Sequence, residues 1–87
     1  MTLKPVYTDV KVISSWERVE SFGYVITLRR SELGLTLGLT ADRLGMNILH
    51  LSALENDQIP PTNEEIKALA KSLKLDYQYL LGKAQNP

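Results

Sequence analysis

Residues 34–57 read GLTLGLTADRLGMNILHLSALEND, and their punctuation decides the fold. Thr36 is a good N-cap, and the segment after it runs to Leu44 before Gly45 interrupts it. Asn47 offers a second cap, opening a segment that reaches about Glu55. Ser, Thr, Asp and Asn cap helices because a side-chain oxygen accepts an N–H that the first turn leaves unpaired. A glycine just past a helix takes the left-handed backbone that closes it. The stretch therefore predicts two short helices joined by the tight turn Gly45-Met46-Asn47. Ala41 is small enough for the helices to approach closely, and Leu44, Met46, Leu51 and Leu54 supply an apolar seam.

On the C-terminal side, Asn56, Asp57, Pro60 and Pro61 read as a loop, since neither proline can continue a helix. Thr62 or Asn63 opens the next helix, with Glu64 and Glu65 placed where the macrodipole favours acids. Its apolar face is Ile66, Leu69, Ala70 and Leu73. Asp76 caps a last short helix with Tyr77, Tyr79, Leu80 and Leu81, which Gly82 is expected to end. The tail, residues 83–87, is expected to fray.

On the N-terminal side, Ser14-Ser15-Trp16-Glu17 has the spacing of a capping box, and Trp16, Val19, Phe22 and Ile26 recur at helical intervals. A helix is expected from Ser14 to Leu33, closed by Gly34. Gly23 weakens its middle by about 1 kcal/mol relative to Ala, and a break there would leave two shorter helices. Val6, Tyr7, Thr8, Val10, Val12 and Ile13 alternate loosely with Asp9 and Lys11, as in a short strand. A lone strand has no partner within the chain, so it would lie on the helices or pair with a second copy. The organisation expected is an arm over residues 1–20, a helical domain over 21–82 and the tail.

With 87 residues, ten Lys plus Arg and ten Asp plus Glu, the chain is sized for one domain of zero net charge. The absence of cysteine excludes disulfide scaffolds, cysteine-based zinc sites and thiol catalysis. No Ser-His-Asp set or metal-ligand spacing can be assembled, so neither catalysis nor a metal or other cofactor is expected. The opening residues, MTLKPVYTDVKVISSW, lack the apolar core of a secretory signal. No apolar run approaches the roughly 20 residues that span a bilayer, and a cytoplasmic protein is expected.

The two-helix unit is a helix-turn-helix, and residues 34–57 resemble the lambda-repressor/Cro family. That family's pattern has Gly-Leu-Ser/Thr opening helix two, Leu-Ala near its centre, Leu-Gly at the turn, and Ile/Leu-Ser-x-x-Glu-Arg/Asn-Gly in helix three. Residues 60–82, PPTNEEIKALAKSLKLDYQYLLG, are similar to its later Pro-Ser/Thr, Leu-x-x-Ile/Leu-Ala-x-x-Leu and closing Tyr-Leu-Leu elements. The resemblance implies an all-α, five-helix DNA-binding domain, here with an N-terminal extension that is a short strand or an extra helix. It also implies a bacterial or phage regulator that binds double-stranded DNA, its third helix in the major groove. Members dimerise on half-sites about one helical turn apart. Carried over by position, Asn47, Ile48, Leu49, His50, Ser52 and Ala53 would face the groove or its rim. Thr36 and Leu37 would approach phosphate, as would the amide of Asn56.

Several positions depart from the pattern. Leu37 stands where Gln is common, Thr40 where a buried leucine is usual, and Arg29 where helix one carries an apolar residue. Ile48 and Leu49 occupy positions typical of polar base readers, and the recognition helix holds neither Arg nor Lys. Three readings of Ile48 and Leu49 stay open: thymine-methyl readers, a patch for a protein partner, or one side chain turned into the core. His50 is a groove contact or a solvated residue. Glu55 is expected to tie back to Arg43 or Arg29. Trp16 and Tyr7 read as local core or dimer contacts.

A repressor or Cro-like switch acting as a homodimer on an operator is the function expected, with regulation through dimerisation, a partner or turnover in place of a ligand domain. Two alternatives share the fold: an antitoxin-type autoregulator using residues 1–20 on a toxin, and a protein-interaction module that has lost DNA binding.

Overall fold

Helix boundaries follow the local chemistry closely where the capping residue is unambiguous. A computed structural model describes residues 21–85 of the chain. Five helices fill that span: α1 (Phe22–Glu32), α2 (Leu37–Leu44), α3 (Ile48–Glu55), α4 (Asn63–Leu73) and α5 (Tyr77–Gln85). The fold is all-helical, as expected from the sequence, and no strand occurs among the described residues. The strand expected over residues 6–13, the capping box at Ser14 and the positions of Tyr7 and Trp16 lie outside the described residues.

Caps set most of the ends. The Thr36 hydroxyl accepts the Leu39 N–H at 3.1 Å, and Asn47 Oδ1 accepts the Leu49 N–H at 2.7 Å. Gly45 closes α2 in the left-handed conformation, φ +64°. Thr62 and Glu65 form a reciprocal capping box at the start of α4, and Asp76 Oδ2 accepts from the Tyr79 N–H at the start of α5.

Two expected boundaries are corrected. Ser21 is extended, and its side chain accepts the Tyr24 N–H, so α1 begins at Phe22 and no single helix runs from Ser14 to Leu33. Gly82 does not end α5, which continues to Gln85. Leu80, Leu81 and Ala84 pack in or against the core on both sides of that glycine, and their burial outweighs the roughly 1 kcal/mol a helical glycine costs.

Gly23 is present for space. Its N–H donates to Asp57 Oδ1 at 2.8 Å, and a Cβ built there would run into Asp57 Oδ1 and the Glu55 carbonyl group. The start of α1 therefore abuts the end of α3, closer than any side chain permits. Asp57 has φ +57°, where the resemblance calls for glycine. Asp tolerates that backbone better than most residues, and its bond to Gly23 offsets the strain.

Ile26, Leu51, Leu54, Leu69 and Leu80 are fully buried, with Phe22, Ile66 and Leu73 nearly so. Each such side chain contributes about 1.5–3 kcal/mol. α1 packs against α3, α4 and α5, α4 packs against α5, and α2 packs on α3 and α4. Ala41, 2% exposed, lets α2 sit close. Thr40 is fully buried where a leucine is usual, and its hydroxyl donates to the Thr36 carbonyl at 2.9 Å, which removes the cost of burying an unpaired hydroxyl.

Glu55 pairs with Arg30, in place of the expected Arg43 or Arg29. Arg30 follows Phe22 and Ile26 at intervals of four, so it shares their inward face. Its Nε and Nη2 donate to the two Glu55 carboxylate oxygens at 2.7 and 3.1 Å, and Nη1 donates to the Leu35 carbonyl at 2.8 Å. The hydrogen bonds to Glu55 hold the guanidinium pKa above its usual value, against the opposing pull of burial. Arg29, one residue earlier, turns to α4 and donates to the Leu73 carbonyl at 2.9 Å. Arg43 is exposed on α2.

Glu65 links α3 to α4. Its Oε1 accepts the Thr62 N–H at 2.9 Å, and its Oε2 lies 2.7 Å from His50 Nε2. Burial pushes the Glu65 carboxyl up, but the Thr62 N–H and His50 together bring it below its ordinary value of 4.5.

Two stability outcomes follow from these pairs. The Arg30 and Glu55 side chains are only 16% and 9% exposed. Glu55→Ala should cost about 3–5 kcal/mol in urea denaturation, because it strands a buried guanidinium. Arg30→Met with Glu55→Leu should recover most of that loss. A single mutant within 1 kcal/mol of the parent, on the scale of about that figure for exposed pairs, would show the pair to be unimportant. For Glu65, a lowered folded pKa means stability present above the ordinary carboxylate pKa and lost as pH falls through the folded value. Glu65→Gln keeps a side chain suited to a capping box and should melt below the parent at pH 7. The gap should begin to close as the pH falls below 4.5 and vanish once it passes the lowered folded value. A gap constant with pH would rule out the charge as its source.

Candidate nucleic-acid interface

α3 has two unlike sides. Leu51 and Leu54 enter the core, Glu55 turns to Arg30 on α1, and His50 turns to Glu65 on α4. What remains points outward as two ridges at helical intervals of four: Ile48, Ser52 and Asn56 along one, Leu49 and Ala53 along the other. Five of the residues expected at a DNA interface thus share one face. Leu49 is 76% exposed and Ile48 46%, so neither is turned into the core.

The polar residues of this region are engaged within the protein. Asn47 Oδ1 caps α3, the Asn56 amide donates to the Ser52 carbonyl at 2.9 Å and approaches its hydroxyl at 3.4 Å, and His50 Nε2 faces Glu65. His50 is a tethered residue at the edge of the stripe, beside the face that Leu49 occupies. Its tether was not read from the sequence, because Glu65 is fifteen residues away and already explained as a helix-start acid.

α2 brings its first turn to the same end of α3. A methyl group on Gly38 would meet Ile48 Cδ1 at 3.6 Å, an ordinary contact. Gly38 was not singled out in the sequence, although a glycine inside a helix is a recognised sign of close approach. Thr36 is exposed at the N-cap of α2. Leu37 is half-buried and packs against the core, so what it presents at the helix start is its backbone N–H. The first turn of α2 holds no acid, which leaves the positive end of the helix dipole uncompensated by side chains.

The stripe itself carries no Lys or Arg. α3 has no basic residue in its last turn, and Arg29 and Arg30 are committed to Leu73, Leu35 and Glu55. Lys67 and Lys83 lie over the rings of Tyr77 and Tyr79 at 5.9 and 5.5 Å. No helix among the described residues is long and apolar enough to cross a membrane.

A family model described as helix-turn-helix matches residues 25–80, from within α1 to within α5. No curated protein and no solved structure gave a match to the chain. The family is one of DNA-binding regulatory domains, and it is not an enzyme family. The matched span contains the whole α2–turn–α3 unit, with its glycine at the turn and its buried Ala41, and the chain belongs to the lambda-repressor/Cro-like helix-turn-helix family.

Proposed function

We propose that the chain is a sequence-specific transcriptional regulator that occupies an operator as a homodimer, α3 lying in the major groove. The observation that carries this reading is the outward stripe Ile48–Leu49–Ser52–Ala53–Asn56, on a helix fixed at its end by Arg30 and along its flank by Glu65. A reading helix must present side chains on a rigid support, and this one does. The first turn of α2, beside Ile48, offers backbone N–H groups to a phosphate, with Thr36 at its edge. Repression by occupancy needs no catalytic group, and the cytoplasm is the compartment where such a protein would meet its operator.

A second reading, docking of a protein partner on the same stripe, is favoured by the exposure of Leu49 and by the zero net charge. An antitoxin role would rest on residues 1–20, which lie outside the described residues.

Selection from a random duplex pool should enrich one motif with two half-sites in inverted repeat, about 10 base pairs between centres for a two-fold dimer. Binding should weaken as salt rises, through counterion release. Ser52→Asp should abolish binding and leave the melting temperature within a few degrees, because the charge would face phosphate. A pool that yields no motif at low salt would overturn DNA reading. A complex of one chain per site would overturn the homodimer.

A further inference from the structure

We infer that the recognition helix discriminates sequence chiefly by the C5-methyl groups of pyrimidines, with Leu49 as the principal reader and Ile48 as the second. The inference rests on the DNA-binding reading above and adds to it the chemical class of what is read. The side chains of α3 that could form hydrogen bonds to bases have a polar group committed within the protein: Asn47 to its own cap, His50 to Glu65, Ser52 and Asn56 to each other. The two most exposed large side chains on the helix are aliphatic. Base edges in the major groove offer hydrogen-bonding groups on every pair, but an apolar contact only at the C5-methyl of thymine. An aliphatic side chain set against a carbonyl or amino edge would strip water from it without replacing the lost hydrogen bond. Set against a methyl, it buries apolar area on both sides.

Leu49 and Ile48 are neighbours in sequence, so they project about 100° apart around the helix and meet different bases. Ile48 lies on the side toward Gly38 and the first turn of α2, the side offered to phosphate. Leu49 is the more exposed of the two, which makes it the principal reader. The same chemistry extends to 5-methylcytosine, whose methyl occupies the corresponding place in the groove. A stripe that reads methyl groups would therefore favour a methylated C·G pair over the unmethylated one.

The test uses the full chain and the site recovered by selection from a thymine-containing duplex pool. Each thymine of a half-site is replaced singly by deoxyuridine, which removes only the methyl. Affinity should fall about fourfold, the worth of one buried carbon of this type, at one or two positions per half-site. At the position read by Leu49, Leu49→Ala should show no further loss on the same replacement. Replacing that T·A pair by 5-methyl-C·G should bind about fourfold tighter than replacing it by C·G. Leu49 is exposed, so Leu49→Ala should melt with the parent, and the deoxyuridine series needs no variant at all. Uniform affinity across that series would overturn the methyl inference while leaving the DNA reading intact. A methyl effect of equal size in Leu49→Ala and in Ile48→Ala would overturn the assignment to these side chains. Failure to select any motif would remove the DNA reading itself, and this inference with it.

Discussion

Arg30 holds three segments of the chain at once. Two nitrogens grip the Glu55 carboxylate at the last residue of α3, and the third reaches the Leu35 carbonyl in the link between α1 and α2. Burying two charges is expensive, and a paired arginine and glutamate gain little over a well-packed apolar pair in stability. What the fork supplies is direction. A planar guanidinium accepts a carboxylate in only a few orientations, so the end of α3 is fixed in rotation as well as in position. Gly23 and Asp57 complete the clamp from the other side, since the glycine lets α1 touch the carbonyl end of α3 and the aspartate takes its N–H. With Glu65 holding His50 on the flank, α3 presents its outer face without having to adjust.

The parts of this arrangement that were legible in the sequence are the local ones. Thr36, Asn47 and Thr62 cap helices within three residues of themselves, and Gly45 closes α2 for reasons confined to its own backbone. The parts that were not legible join residues far apart. The sequence offered Arg43 or Arg29 to Glu55, and only the packing of Phe22 and Ile26 shows that Arg30 is the one facing it. Gly23 reads as a weak point in a helix, yet it is required because α3 ends against it. Ser21 has the right chemistry for a cap, but an unbroken helical spacing from Trp16 to Ile26 conceals it. Gly82 resembles a stop until the burial of Leu80, Leu81 and Ala84 around it is known. The same division holds at the interface. The stripe followed from helical periodicity and the contact of Asn56 with Ser52 is local, whereas the engagement of His50 with Glu65 depended on the fold.

That engagement changes what the helix can recognise. A polar side chain tied to its own backbone or to a neighbouring helix gives up part of its capacity to bond a base. The tied residues brace the helix, and the untied aliphatic ones stand out from it. Rigidity favours a reader of shape, because an apolar contact gains only when surfaces fit, while a flexible polar side chain tolerates misalignment. The bracing of α3 and the apolar character of its face are thus consistent with one another.

Zero net charge fits the same picture and has a cost. A regulator with many phosphate contacts gains much of its affinity from released counterions, sequence-independently. Here two of the arginines are spent on the fold, α3 carries no basic side chain, and two lysines lie over tyrosine rings. In the proposed reading, less of the binding energy would therefore be available to arbitrary DNA, and a larger share would have to come from the fit of the stripe to a particular site. Weak non-specific attraction raises the ratio of specific to non-specific binding but lowers absolute affinity. In the proposed homodimer, two half-sites read by two copies would restore it, since the second contact is made at high effective concentration. A sparsely charged domain that read methyl groups, as proposed, would thus depend on dimerisation more heavily than a basic one.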